Sequence, residues 1–341
     1  MSTPEDVTAA FDQLLRQQSA RQHSTSPLGE APTSIDASEA LSYADKLRGK
    51  VIVVTGAAGG FGKEYSLTAA RSGAKLVLSD LRLDAVQAVA DEIKAAGGEA
   101  IAIACNVSSW KDQVAMFRFG VDTYGVIDVV VANAGIAEGT RRFLDLKAGE
   151  DGEPTEPSLM TLDVNTSGVA YTMKLAFFHL TKNPATEGKS IVVLGSMASF
   201  FGLAGAPLYT TSKHAVLGLM RSCSYNAALY GITLNSVHPW FVQTNIFGAA
   251  ALALLAGIPL ATVPDVVAGM IAASAKPGSH GSTFVVDFKG ILEVPSNAHQ
   301  AGEGTFYKAF SDRAYGLLGW AKWAVDMAGA VRTAIKRRSL L

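Results

Sequence analysis

The stretch Val51-Ile52-Val53-Val54-Thr55-Gly56-Ala57-Ala58-Gly59-Gly60-Phe61-Gly62 decides how this chain folds. A β-branched run, the composition of a buried strand, passes without a break into a glycine-rich turn. A helical pattern follows over residues 61–72. Such a strand–turn–helix bares backbone N–H groups and the positive end of a helix to an anion such as a pyrophosphate. Gly56 permits the turn, Gly60 lets the backbone approach the phosphates, and Gly62 lets helix and strand pack closely, with Gly59 and Phe61 completing the loop. A glycine-rich turn alone is a weak signal; its place between a strand and a helix gives it weight.

Working outward, short apolar runs alternate with helical stretches. Strands are predicted at 51–55, 75–79, 100–104, 128–132, 190–195, 232–237 and 283–287, and helices near 61–72, 82–96, 109–124, 158–181, 207–230 and 264–274. Nearly continuous apolar strands indicate a parallel sheet buried on both faces. Strict alternation with right-handed crossovers predicts an α/β, doubly wound, seven-stranded parallel sheet with helices on both faces. The expected organisation is an N-terminal arm (1–48), a catalytic domain (49–300) and a C-terminal helical extension (301–341). Residues 21–40, rich in Ser, Thr, Pro and Gly, read as a linker or loose arm.

Composition narrows the function classes. The 341 residues are 49% hydrophobic and 17% charged, so a sizeable core is possible, and a net charge of −1 argues against a nucleic-acid partner. Cys105 and Cys223 stand apart and read as buried free thiols. The histidines show no metal-ligand spacing, so no metal is expected. The N-terminus carries Glu5, Asp6 and Asp12 without an apolar core, unlike a secretory signal. Residues 248–263 are the most apolar run, but they are too short to span a bilayer and are broken by Gly257 and Pro259; a cytoplasmic protein is expected.

Five positions carry chemistry. Asp80, at the end of the second strand of the glycine-loop unit, can bind both ribose hydroxyls and repel a 2′-phosphate, which predicts NAD over NADP; Arg82 nearby could turn to a phosphate instead. Tyr209 and Lys213 share a helix face at i and i+4. A neighbouring ammonium, together with oxidised nicotinamide, would favour phenolate and let Tyr209 exchange a proton with an alcohol at neutral pH. Ser196 follows the fifth strand and can hold a substrate oxygen, while Asn165 is an amide inside an otherwise apolar helix.

Together these motifs resemble the short-chain dehydrogenase/reductase family over residues 50–290: TGAAGGFG (55–62), NAG (133–135), Asn165, Ser196, YTTSK (209–213) and a Pro-x-x-x-x-Thr stretch at 239–244. Within it, the stretches around Ser196 and Tyr209 look like the branch containing 15-hydroxyprostaglandin dehydrogenase and chains of fungal secondary metabolism. The resemblance implies a Rossmann-type fold and an Asn165–Ser196–Tyr209–Lys213 tetrad. It also implies that Lys213 binds the nicotinamide ribose, and that Asn165 holds a water relaying protons to it. Asn133, with Ala134 and Gly135, would lie near the adenosine ribose, Asn106 and Val107 would flank adenine, and Val242 and Thr244 would hold the carboxamide. The implied partner is a homodimer or homotetramer. Three positions depart from the pattern: Asn106 where Asp is usual, Ala132 where Asn is common, and Trp240 where the family has Gly.

The expected activity is oxidation of a secondary alcohol, or reduction of a ketone, on a lipid, terpenoid or polyketide-like molecule. An NADPH-dependent carbonyl reductase is the alternative enzyme, and a dinucleotide-sensing binding protein the alternative class. The 312–337 stretch, apolar with Trp320 and Trp323 and ending near Arg337 and Arg338, suggests either packing on the body or peripheral membrane contact.

Overall fold

The computed structural model describes residues 31–138, 143–144, 146–203, 205–242 and 259–296, and the folded body runs from Thr33 to Ser296. In chain order its strands are β1 (Thr33–Ile35), β2 (Val51–Thr55), β3 (Lys75–Asp80), β4 (Glu99–Ala104), β5 (Val129–Ala132), β6 (Lys189–Leu194), β7 (Ile232–Pro239), β8 (Thr283–Asp287) and β9 (Gly290–Val294). The helices are α1 (Ala37–Ser42), α2 (Gly60–Arg71), α3 (Leu83–Ala95), α4 (Trp110–Tyr124), α5, α6 (Pro207–Leu229) and α7 (Val263–Ala275). Helix α5 comprises Met160–Leu162, a π turn at Asp163–Gly168 and Val169–Leu180.

All strands join one sheet in the order β1-β9-β8-β7-β6-β5-β2-β3-β4. Strands β2 to β8 are the expected seven parallel strands. Each β-strand side chain alternates faces, so Ile52 and Val54 enter one core with α2, α3 and α7, while Val51 and Val53 enter the other with α4, α5 and α6. The chain winds from β2 out to β4 and then returns to place β5 against β2, Val53 opposite Val130. This reversal opens a crevice at the carboxyl ends of β2 and β5, the place where open α/β sheets bind ligands.

The sheet is longer than expected. Strands β8 and β9 form an antiparallel hairpin, and β1 pairs antiparallel with β9, Thr33 opposite Glu293. Residues from 33 onward are therefore part of the body rather than a loose arm. The reason lies in α7: residues 266–274 are buried all round, which an outer-layer helix cannot manage alone. Helix α1 and the 3-10 turn Tyr43–Leu47 pack on it, inserting Ala40, Ala44 and Leu47. The apolar content of 33–47 was too sparse to announce this. Cys105 is buried and Cys223 only half-buried, so the second thiol is less enclosed than expected; both are free.

Candidate active site

The glycine loop leaves β2 with Gly56 at φ 67°, a left-handed conformation that favours glycine. A side chain at Gly62 would collide with the Gly56 carbonyl, and one at Gly56 would come within 2.8 Å of the Ala134 Cα. Those two glycines pack protein against protein. Gly59 and Gly60 differ: a Cβ at either would meet no protein atom within 4 Å. Gly59 is the N-cap of α2 and offers no side-chain cap to its first N–H groups. The result is an open, donor-lined cradle at a helix N-terminus, the shape and charge a dinucleotide pyrophosphate requires. Phe61 is half-buried behind it.

The neighbouring loops are tied to this cradle. Thr55 Oγ1 accepts from the backbone N–H groups of Asn133 and Ala134 at 3.1 Å, and Asn133 Nδ2 donates to the carbonyls of Thr55 (2.9 Å) and Gly56 (3.0 Å). Asp80 Oδ2 accepts from Ala58 N–H at 3.2 Å, which aims the carboxylate into the loop; Arg82 Nε stands 3.9 Å from Asp80 Oδ1 and is largely exposed. Asn106 is exposed, its Oδ1 occupied by Ser108 N–H at 3.0 Å, and Val107 is buried beside it.

The second half of the site comes from β5, α5, β6 and α6. The Ser196 hydroxyl caps the 3-10 turn Met197–Ser199, accepting from Ala198 N–H at 3.1 Å, and the Ser196 side chain lies near enough to the Tyr209 phenol to act on its titration. Lys213 Nζ is buried, donates to the Leu194 carbonyl at 2.9 Å and lies 5.7 Å from the centre of the Tyr209 ring. Gly135 is a close neighbour of both Asn165 and Lys213, since a Cβ there would stand 3.3 Å from Asn165 Oδ1 and 3.6 Å from Lys213 Nζ. Asn165 sits in the π turn, fully buried. Its Oδ1 accepts from Ile136 N–H (2.8 Å), and its Nδ2 donates to the Ile136 carbonyl (2.9 Å) and Ser212 Oγ (3.1 Å). The amide thus clamps α5 to the end of β5 and to α6.

Burial raises the Tyr209 phenol above its usual 10, and the Ser196 side chain opposes it only in part. Burial also pushes Lys213 down to about 8.

Val242 is buried and forms an isolated parallel bridge with Ala261; Thr244 lies outside the described residues. Trp240 anchors its backbone N–H on the Val286 carbonyl at 2.7 Å and packs edge-on to Phe241, and its buried indole N–H has no partner among the described residues.

Two residues escaped the sequence reading. His238, fully buried, donates from Nδ1 to the Ser196 carbonyl at 3.0 Å and faces Ser236 Oγ through Nε2 at 2.9 Å. Its ring fills the space beside Gly195, where a Cβ would strike it. Gln113, also fully buried, donates to the carbonyls of Val107 (2.6 Å) and Gly168 (2.8 Å), linking the loop after β4 to the π turn.

A family model for short chain dehydrogenases matches residues 50–253, from the glycine loop past Tyr209 and Lys213. The chain belongs to the short-chain dehydrogenase family. As a member it is an oxidoreductase. Among the family's curated members it is similar to a cyclohexanol dehydrogenase of an Acinetobacter species, 33% identical over 71% of this chain and 95% of the relative. A 5′-hydroxyaverantin dehydrogenase of Dothistroma septosporum is 27% identical over 76% of this chain and 90% of that one. Among solved structures, a short-chain type dehydrogenase/reductase from Mycobacterium marinum superposes with a TM-score of 0.64, at 28% identity, covering 73% of this chain and 98% of that chain.

Proposed function

We propose that this short-chain dehydrogenase moves a hydride between NAD and a secondary alcohol or ketone on a hydrophobic small molecule. The observation that carries the reading is that the Ser196 side chain acts on the Tyr209 phenol while the Lys213 amine lies buried 5.7 Å from the centre of the same ring. The nicotinamide, when bound, supplies the hydride acceptor or donor. Everything else falls to the chain. Ser196 Oγ holds the substrate oxygen, and Tyr209 Oη takes the alcohol proton or returns it to the ketone oxygen. Lys213 holds charge behind the phenol and reaches the nicotinamide ribose. Asn165 fixes α5 and would hold the water that relays protons to Lys213. Gly56, Gly59, Gly60, Phe61 and Gly62 cradle the pyrophosphate, Asp80 takes the adenosine ribose with Asn133, Ala134 and Gly135 beside it, Asn106 and Val107 flank adenine, and Val242 and Thr244 hold the carboxamide.

Apolar side chains support a hydrophobic substrate. Phe143, Leu144, Leu146 and Leu159 on the segment between β5 and α5, and Met160 at the start of α5, stand exposed. The two curated relatives are named for cyclohexanol and 5′-hydroxyaverantin, both carbon-rich alcohols. A lipid, terpenoid or polyketide fits this lining better than a sugar does. The exposed Arg82 beside Asp80 favours a second reading, an NADPH-dependent carbonyl reductase.

We also read the protein as a cytoplasmic homodimer or homotetramer; residues 301–341, read from the sequence as a helical extension, lie outside the described residues. No helix among the described residues is long and apolar enough to cross a membrane.

Tyr209→Phe tests the mechanism. It removes only the phenolic oxygen, so NAD binding should survive while turnover with hydrophobic secondary alcohols falls by roughly 100-fold or more. Near-normal turnover would end this reading. NAD binding without turnover in the parent protein, across a panel of such alcohols and ketones, would point to dinucleotide sensing instead.

A further inference from the structure

Helix α6 carries both Tyr209 and Lys213, yet it begins badly. Its N-cap is Ala206, which offers no side-chain acceptor, and its first residue is Pro207, so the N–H groups of Leu208 and Tyr209 face outward from the first turn without a local partner. Glu138 meets them from across the site. Its Oε2 accepts from Leu208 N–H at 2.8 Å and from Tyr209 N–H at 3.2 Å. Its other oxygen, Oε1, accepts from Phe143 N–H at 3.2 Å. Glu138 stands three residues beyond Gly135, on the loop leaving β5. One half-buried carboxylate thus joins three parts: the loop after β5, the segment bearing Phe143 and Leu144, and the backbone of Tyr209 itself.

We propose that Glu138 is the positioning residue for Tyr209, capping the helix that presents the phenol. A negative group at a helix N-terminus is favourable, and two N–H groups converging on one oxygen fix the first turn in rotation as well as in height. The phenol hangs from this turn. Proton transfer requires it within hydrogen-bond reach of the substrate oxygen, and a displacement of about 1 Å can cost about 100-fold in rate. Ser196 and Asn165 hold the neighbouring elements, but neither touches the first turn of α6 through its backbone N–H groups. This inference rests on the reading of Tyr209 as the proton-transfer residue.

The two oxygens allow a clean test. Glu138→Gln keeps one oxygen, which can still accept both helix N–H groups, and turns an amide toward Phe143. Glu138→Met keeps the length and removes every acceptor. With NAD and a turned-over alcohol, Glu138→Met should lower kcat by about 10-fold or more, the scale of a misplaced reacting group, with the NAD dissociation constant within about 2-fold of the parent. Glu138→Gln should keep kcat within about 3-fold of the parent, a rescue that depends on the oxygen facing the helix. If Glu138→Met is insoluble, Glu138→Asp, one methylene too short to reach both amides, takes its place and should show the same loss of kcat. Parent-like kcat in the Met or Asp variant would overturn the proposal. So would a Gln variant as impaired as Met. Tyr209→Phe measured alongside separates the two levels: if Tyr209→Phe is inactive and Glu138→Met is normal, only the positioning role falls. If Tyr209→Phe is active, both fall.

Discussion

Lys213→Met should make the protein more stable and less active at once. The ammonium of Lys213 is buried, and burial moves its titration from 10.5 down to about 8. By linkage that displacement corresponds to about 3 kcal/mol disfavouring the charged form in the folded protein. Because the folded value lies below the unfolded one, the unfolded chain binds more protons between the two. Stability therefore rises with pH through that window, and it is lost as pH falls toward about 8. At about pH 7 nearly the whole penalty is present, whereas at about pH 10 less than about 1 kcal/mol remains. Methionine has similar length and carries no charge. It forfeits the bond from Nζ to the Leu194 carbonyl, worth about 1 kcal/mol. The net gain is about 2 kcal/mol at about pH 7 and close to none at about pH 10. Urea unfolding of parent and variant at matched concentration, at both pH values, measures it, and the melting temperature at neutral pH should rise by roughly 5 °C. Turnover should be lost, because the charge behind the Tyr209 phenol is gone. A variant less stable than the parent at neutral pH, or a difference that does not change with pH, would refute the claim that this lysine is held charged against its burial.

Three further outcomes follow from the geometry. Gly195→Ala drives a Cβ into the His238 ring, so it should cost about 1–3 kcal/mol in a melt and reduce turnover through the displaced Ser196; adding His238→Ala should return stability without returning turnover. Asp80→Ala should narrow a strong preference for NAD over NADP in steady-state kinetics, and equal use of the two by the unmodified protein would show that Arg82 governs the choice. A chain beginning at Arg48 instead of Thr33 should lose roughly 3–6 kcal/mol in chemical unfolding, since Ile35 and Leu47 leave the core over α7, and unchanged stability would contradict that packing.

What the sequence determined by itself was local and periodic. The run of β-branched residues from Val51, the glycines that follow it and the i, i+4 spacing of Tyr209 and Lys213 are each set within a few residues of chain, so strand, cradle and shared helix face could be read directly. The seven parallel strands follow from the same short-range patterning repeated. What only the tertiary structure decided depends on residues far apart meeting. Strand β1 belongs to the sheet because β9 offers it an edge more than 250 residues later. His238 matters because Ser196, 42 residues earlier, lies over its ring nitrogen, and Glu138 because Tyr209, 71 residues later, turns its N–H toward it. The charge states belong to the same class. Spacing alone set an ammonium beside a phenol and suggested attraction between them, but how far water is excluded from both is a property of the packed site, and it is that exclusion which pushes Tyr209 up and Lys213 down.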